Sequence, residues 1–162
     1  LNSCSAPLGM EDRWIPDSSF VASSSKSTTF SNWAPSLARL RLEGGANAWR
    51  PEAGSPTEWL QVDFGAVKKV TGVVTQGTKH VLSAMMVREF SLSISQDGVN
   101  WTQVRHKSGL KVFRGNRDHT EEARLRFHAP LFGRYIRIHP KVWERDIALR
   151  LEFLGCEAQQ EY

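Results

Sequence analysis

The sequence has little cysteine: two residues in 162, Cys4 and Cys156. A thiolate metal centre needs closely spaced ligands, and no C-x-x-C pair is present, so that class is excluded. Two lone cysteines near opposite ends suggest one disulfide tying the ends together. On a chain-entropy account such a closure stabilises the fold by about 4–5 kcal/mol. Two buried free thiols are the alternative. A disulfide persists only in an oxidising compartment, so the first reading points to secretion. Long apolar runs are missing too, and no stretch approaches the ~20 residues of a membrane-spanning helix. The chain opens on Leu1-Asn2-Ser3, without an initiator methionine or a signal peptide. It is therefore expected to be a piece of a longer secreted protein.

Enzyme signatures are absent as well. There is no H-E-x-x-H, no G-x-S-x-G, no phosphate-cradling glycine loop and no EF-hand loop. The histidines (His80, His106, His119, His128 and His139) are scattered, with no pair at ligand spacing. His139, ahead of Pro140 in an apolar strand, reads as a structural residue and not a base. Asp97 and Asp118 sit in turn-like contexts, where a carboxylate bonds the local backbone. No catalytic residue, metal or cofactor is expected.

Helical periodicity is also lacking, and alternation with a period of two takes its place. Leu60, Val62 and Phe64 alternate with Gln61 and Asp63. Phe90, Leu92 and Ile94 alternate with Ser91, Ser93 and Ser95. Ala123, Leu125 and Phe127 alternate with Arg124 and Arg126, and Ile147 to Phe153 repeats the pattern. Each run predicts a half-buried antiparallel strand with one polar face. Val70 to Val74 is more continuously apolar and predicts a central strand. Gln96-Asp97-Gly98 predicts a hairpin. Lys68-Lys69 reads as a solvated edge that discourages strand pairing. The fold class is all-β, a sandwich or barrel.

Net charge is +4, with a pI near 9.3, which suits an acidic partner without choosing one. Nucleic acid is not expected, because no dense basic cluster is interleaved with exposed aromatics. Asn100-Trp101-Thr102 is an N-glycosylation sequon, which fits the secreted reading. Two loops stand out. Ser23 to Asn32 is polar except for a lone Phe30, and His80 to Met86 carries a second apolar cluster. Such side chains either cap the end of the barrel or protrude for a purpose.

Several long motifs in order resemble the discoidin family, also called the factor V/VIII type C domain. They are Asn47 to Pro51, Trp59 to Phe64, Val70 to Gly77, Arg134 to Pro140 and Ile147 to Cys156, with the opening Cys4 through Glu11. The similarity covers essentially the whole chain, so residues 1–162 are expected to form a single domain of this family. It implies a discoidin-type, jelly-roll-like β-sandwich closed by a Cys4–Cys156 disulfide, with apolar hairpin tips ringed by basic residues. In the coagulation cofactors of the family, that end docks on phosphatidylserine-rich membranes of activated platelets. The resemblance further implies contacts with von Willebrand factor, and a secreted plasma parent that assists factor IXa as it activates factor X. The implied membrane residues are Thr29, Phe30, Val81 and Leu82, with Arg50 and Lys79 on lipid headgroups. Thr29 replaces a large apolar residue of the related membrane-docking domains, and Gly45 and Thr57 replace basic ones. A carbohydrate-binding or adhesion module is the alternative within the same fold.

Overall fold

The computed structural model describes residues 4–158; Leu1 to Ser3 and Gln159 to Tyr162 lie outside the described residues. Eleven strands follow one another, with two short 3-10 turns between them. They are β1 (Ala6–Pro7), β2 (Phe20–Ala22), β3 (Leu60–Gln76), β4 (Thr78–His80), β5 (Ser83–Ser95), β6 (Thr102–Gln103), β7 (Arg105–His106), β8 (Gly109–Leu110), β9 (Phe113–Arg114), β10 (Ala123–Glu144) and β11 (Arg150–Glu157). The main sheet runs β1-β11-β3-β10-β5-β4, with β2 on β3 and with β6 and β9 on β5. All of these pairings are antiparallel.

Two strands are long enough to belong to both layers of the sandwich. β3 pairs with β2 through Leu60–Val62, then with β11 through Lys68–Gln76. β10 breaks register with β3 between Arg126 and Leu131 and again between Gly133 and Tyr135. Such irregularities bend a strand and let it pass from one layer to the next. Between the layers lie Trp49, Leu60, Phe90, Leu92, Ile136, Ile138, Leu149 and Phe153, all essentially inaccessible to solvent. Leu60, Phe90, Leu92, Leu149 and Phe153 among them are apolar members of the alternating runs, and burial of this set is the main stabilising term.

Charge locks the N-terminal loop onto this core. Buried Arg39 donates to the carbonyls of Met10 (2.7 Å) and Ile15 (2.8 Å) and to Asp17 (2.7 Å). Buried Glu152 accepts the backbone N–H groups of Met10 and Glu11 at 3.0–3.1 Å. The Cys4–Cys156 bond joins the same region, with Cα atoms 5.1 Å apart.

Three strand expectations need correction. Ile147 and Ala148 precede β11, and Leu149 forms only an isolated bridge to Trp49. The serine face of β5 is not solvated: Ser91, Ser93 and Ser95 are buried. Small hydroxyls survive there because they are bonded, Ser93 to His139 and Ser95 to Asp97. Lys68 and Lys69 do not mark a free edge, since β3 is flanked there by both β10 and β11, and Lys68 pairs with Glu157.

Candidate functional site: the apolar tips

One end of the sandwich is built from two reversals. In the first, Ser27 bridges to Asn32, and Thr28 N–H donates to the Ser31 carbonyl at 2.7 Å. The Thr28 hydroxyl accepts from the Phe30 and Ser31 N–H groups at 3.3 and 3.0 Å. A short hydroxyl that satisfies local donors is what fixes a tight turn. With the backbone so occupied, Thr29 is exposed and Phe30 stands 95% accessible.

The second reversal joins β4 to β5. His80 pairs with Ser83, so Val81 and Leu82 alone form the turn. Val81 has φ 57°, a left-handed conformation costly for a β-branched residue. Its side chain is 80% accessible and that of Leu82 85%. Three large apolar side chains therefore stand in water at turn tips, one beside a strained backbone. Strain of this kind is retained where the surrounding structure over-determines the turn.

The bases of the two reversals pack together. Trp33, Ala48, Met85 and Ala148 form a small buried cluster beneath them. The Trp33 indole meets the His80 ring edge-on at 5.0 Å. Gly77 lies where a Cβ would come 2.2 Å from the Met85 carbonyl, so β4 can approach β5 this closely only with glycine there. Arg150 donates to the Gly77 carbonyl at 2.6 and 2.9 Å and to Leu42 at 2.9 Å, tying a third loop to the same platform.

The expected cations sit in two different environments. Lys79 is exposed on β4. Arg50 is only 7% accessible. Its guanidinium stacks on Trp33 at 4.7 Å and donates to Asp146 at 3.2 Å, while its buried Nε has no acceptor. Lys26 adds a second cation 3.8 Å from Asp146. Arg50, His80, Val81, Met85, Arg145 and Asp146 border a concavity of about 310 Å³. Gly45 and Thr57 are exposed.

Lys26, Trp33, Arg145 and Asp146 were not singled out by pattern. Trp33 carried a usable signal, as the one indole directly after an otherwise polar loop. Arg145-Asp146 lay in an unmarked break between strands. Asn100 is exposed; its amide donates to Asp97 Oδ2 at 2.7 Å. The Asp97 carboxylate accepts from Asn100 and Val99, and these bonds hold its pKa well below the usual range. Asp118 bonds the backbone of Thr120 and Glu121 in the same manner.

The site is one end of a β-sandwich that presents three exposed apolar side chains over a cation-bearing platform. The chain belongs to the F5/8 type C domain family, whose model matches residues 19–153. It is 52% identical to mouse coagulation factor VIII over the whole chain and 45% identical to mouse coagulation factor V over 97% of it. The chain spans only about 7% of the length of either relative. Among solved structures, discoidin II of Dictyostelium discoideum superposes with a TM-score of 0.71 at 18% identity, covering 86% of this chain and 55% of that one. That likeness concerns the fold.

Proposed function

We propose that this is a non-enzymatic membrane-docking module of a secreted coagulation cofactor, binding phosphatidylserine-rich surfaces through Phe30, Val81 and Leu82. The observation that carries this reading is the exposure of all three side chains at turn tips held by a packed base. Large apolar side chains gathered on neighbouring turn tips mark an interaction surface, which favours a lipid-docking role. Thr29 adds a small, partly apolar neighbour to Phe30. Lys79 supplies headgroup attraction, and Arg50 contributes field from a braced position beside Trp33. The extracellular setting is supported by the disulfide. Relatives that are coagulation cofactors favour a parent working with factor IXa and factor X, and contacts with von Willebrand factor belong to the same reading. Residues 1–162 act in it as one unit.

Magnitudes bound the affinity. Inserting the three tips contributes about 5–8 kcal/mol. Each base near an anionic surface adds about 1 kcal/mol, and association costs at least about 4 kcal/mol. The balance is about 3–6 kcal/mol, which is millimolar to tens-of-micromolar binding, so tight docking calls for a second module in the parent acting through effective concentration. The carbohydrate alternative wants a stacking aromatic in a cleft at this end, and the concavity beside the Val81 turn is lined by no Trp, Tyr or Phe.

The test is vesicle co-sedimentation with and without phosphatidylserine, on the parent and on Leu82→Ser. We expect binding to require phosphatidylserine and to weaken by about tenfold in the variant, as loss of part of a buried leucine predicts. Equal binding to neutral vesicles, or an unaffected variant, rejects the reading.

A further inference from the structure

A second concavity, about 530 Å³, lies on the flank of the sandwich. It includes Ser93, which is separated from the Val81–Leu82 turn by about 30 Å of β5 at ordinary strand rise. Arg137 of β10 lines it, opposite Gln61 of β3 and Ser93 of β5 in the sheet. The guanidinium is sandwiched: its Cζ lies 3.8 Å from the centroid of one Trp59 ring and 4.1 Å from that of Trp101. Its Nε donates to Gln61 Oε1 at 3.0 Å. Among the described residues, its two terminal nitrogens have no protein acceptor and no carboxylate pairs with this arginine. Burial lowers its pKa with no counter-charge to oppose it. Arg105 also borders the cavity, and His139 and Ser93 bond each other on its wall at 2.7 Å. No Asp or Glu lines it.

A half-buried cation without a counter-charge is costly, and an arginine packed against two indoles has already lost much of its rotamer freedom. What stays available is the outer edge of its fork, which matches an oxyanion with two parallel N–H donors. The aromatic wall and the neighbouring hydroxyl and amide groups suit a polypeptide. β6, which borders the site through Thr102 and Gln103, pairs among the described residues only with β5, which leaves its other edge without a sheet neighbour there. An extended chain can lie along such an edge. A sulfated polysaccharide would want a long basic stripe, and here the arginines are gathered in one hollow.

We propose that this flank is a receptor for an acidic peptide segment of a protein partner, one carboxylate seated on Arg137 and a second within reach of Arg105. The site is distant from the tips, so it stays open whether or not they are engaged, and it stands or falls apart from the membrane reading.

The test is fluorescence anisotropy of a labelled hexaglutamate peptide on the folded domain, with hexaglutamine as neutral control. Arg137→Lys keeps the charge and loses the fork; Arg105→Gln changes an exposed residue and keeps the question open should Arg137→Lys fold poorly. Arg124→Gln, an exposed position elsewhere on β10, controls for net charge. We expect hexaglutamate to bind, hexaglutamine not to bind, and both pocket variants to weaken binding by about tenfold, as loss of a charge-assisted hydrogen bond predicts. Arg124→Gln should bind like the parent, and indole emission should shift on binding. Equal loss in Arg124→Gln means diffuse charge attraction and overturns the site. Binding of a heparin oligosaccharide that depends on Arg105 and Arg137, with no peptide binding, replaces the peptide with a polysaccharide and also overturns it.

Discussion

The indole of Trp33 and the imidazole of His80 meet edge to face at 5.0 Å, and the contact braces one tip-bearing loop against the other. Trp33 follows the Phe30 reversal and is buried, while His80 is the last residue before Val81. An edge-on aromatic pair contributes about 0.5–1.5 kcal/mol beyond area burial. His80→Ala should therefore lower the melting temperature by a few degrees, at about 2–4 °C per kcal/mol for a domain this size. It should weaken vesicle binding by more than its own exposed area accounts for, because two tips lose their relative placement. Differential scanning calorimetry and vesicle titration on the same preparation check both.

Val81 couples strain to function. At φ 57° the turn would be more comfortable with glycine. Val81→Gly should raise stability by about 0.5–1 kcal/mol if the relieved strain exceeds the added chain entropy. The same change removes an exposed apolar tip and should weaken vesicle binding several-fold. Urea denaturation and vesicle titration moving in opposite directions is the expected signature.

Salt should separate Lys79 from Arg50. Lys79 is exposed, so its attraction to anionic lipid is screened over a Debye length of about 8 Å at physiological ionic strength. Lys79→Ala should weaken vesicle binding at low salt and matter little at high salt. Arg50 is buried beneath the tips and pairs with Asp146, so Arg50→Ala leaves Asp146 short of a partner and exposes the Trp33 face. Its loss should appear at every salt concentration and in the melting temperature as well. Binding isotherms across a salt series, with a thermal melt of each variant, distinguish the two.

The sandwich was readable because alternation reports burial directly. Leu60, Val62, Phe90, Leu92 and Phe127 are all buried where the pattern puts them. The tips were only half readable: pattern sets Phe30 and the His80 to Met86 cluster apart as apolar residues in polar or turn-like company, and the family resemblance alone implies that Phe30, Val81 and Leu82 protrude. What stayed hidden depends on distance in sequence. The Trp59, Arg137 and Trp101 stack unites residues on separate segments, each of which reads locally as ordinary strand or loop. Arg50 stood in a motif that gives its identity but not its orientation, which is set by Trp33 and Asp146. The buried serines of β5 were missed because period two marks which residues share a face, not whether another element covers that face.

His139 carries the last prediction. Burial, with the positive charges of Lys141 and Arg137 adding to it, lowers its pKa from 6.5 to about 4. Its Nε2 is bonded to the Ser93 hydroxyl at 2.7 Å, a pairing available to a neutral ring. Above pH 6.5 the ring is neutral in both folded and unfolded chains, and its titration contributes nothing to the pH dependence. As pH falls below 6.5 the unfolded chain takes up a proton that the folded chain refuses, so stability falls. The loss continues toward pH 4, where the folded ring also protonates. Glu152 acts in the other direction, since burial raises its pKa and favours the folded state as pH drops through its range. His139→Gln removes the first effect and leaves the second. Urea denaturation at pH 7 and pH 5 should show the parent losing stability over that interval and the variant losing less. An identical loss in both proteins would assign the acid sensitivity to other groups and leave His139 a packing residue only.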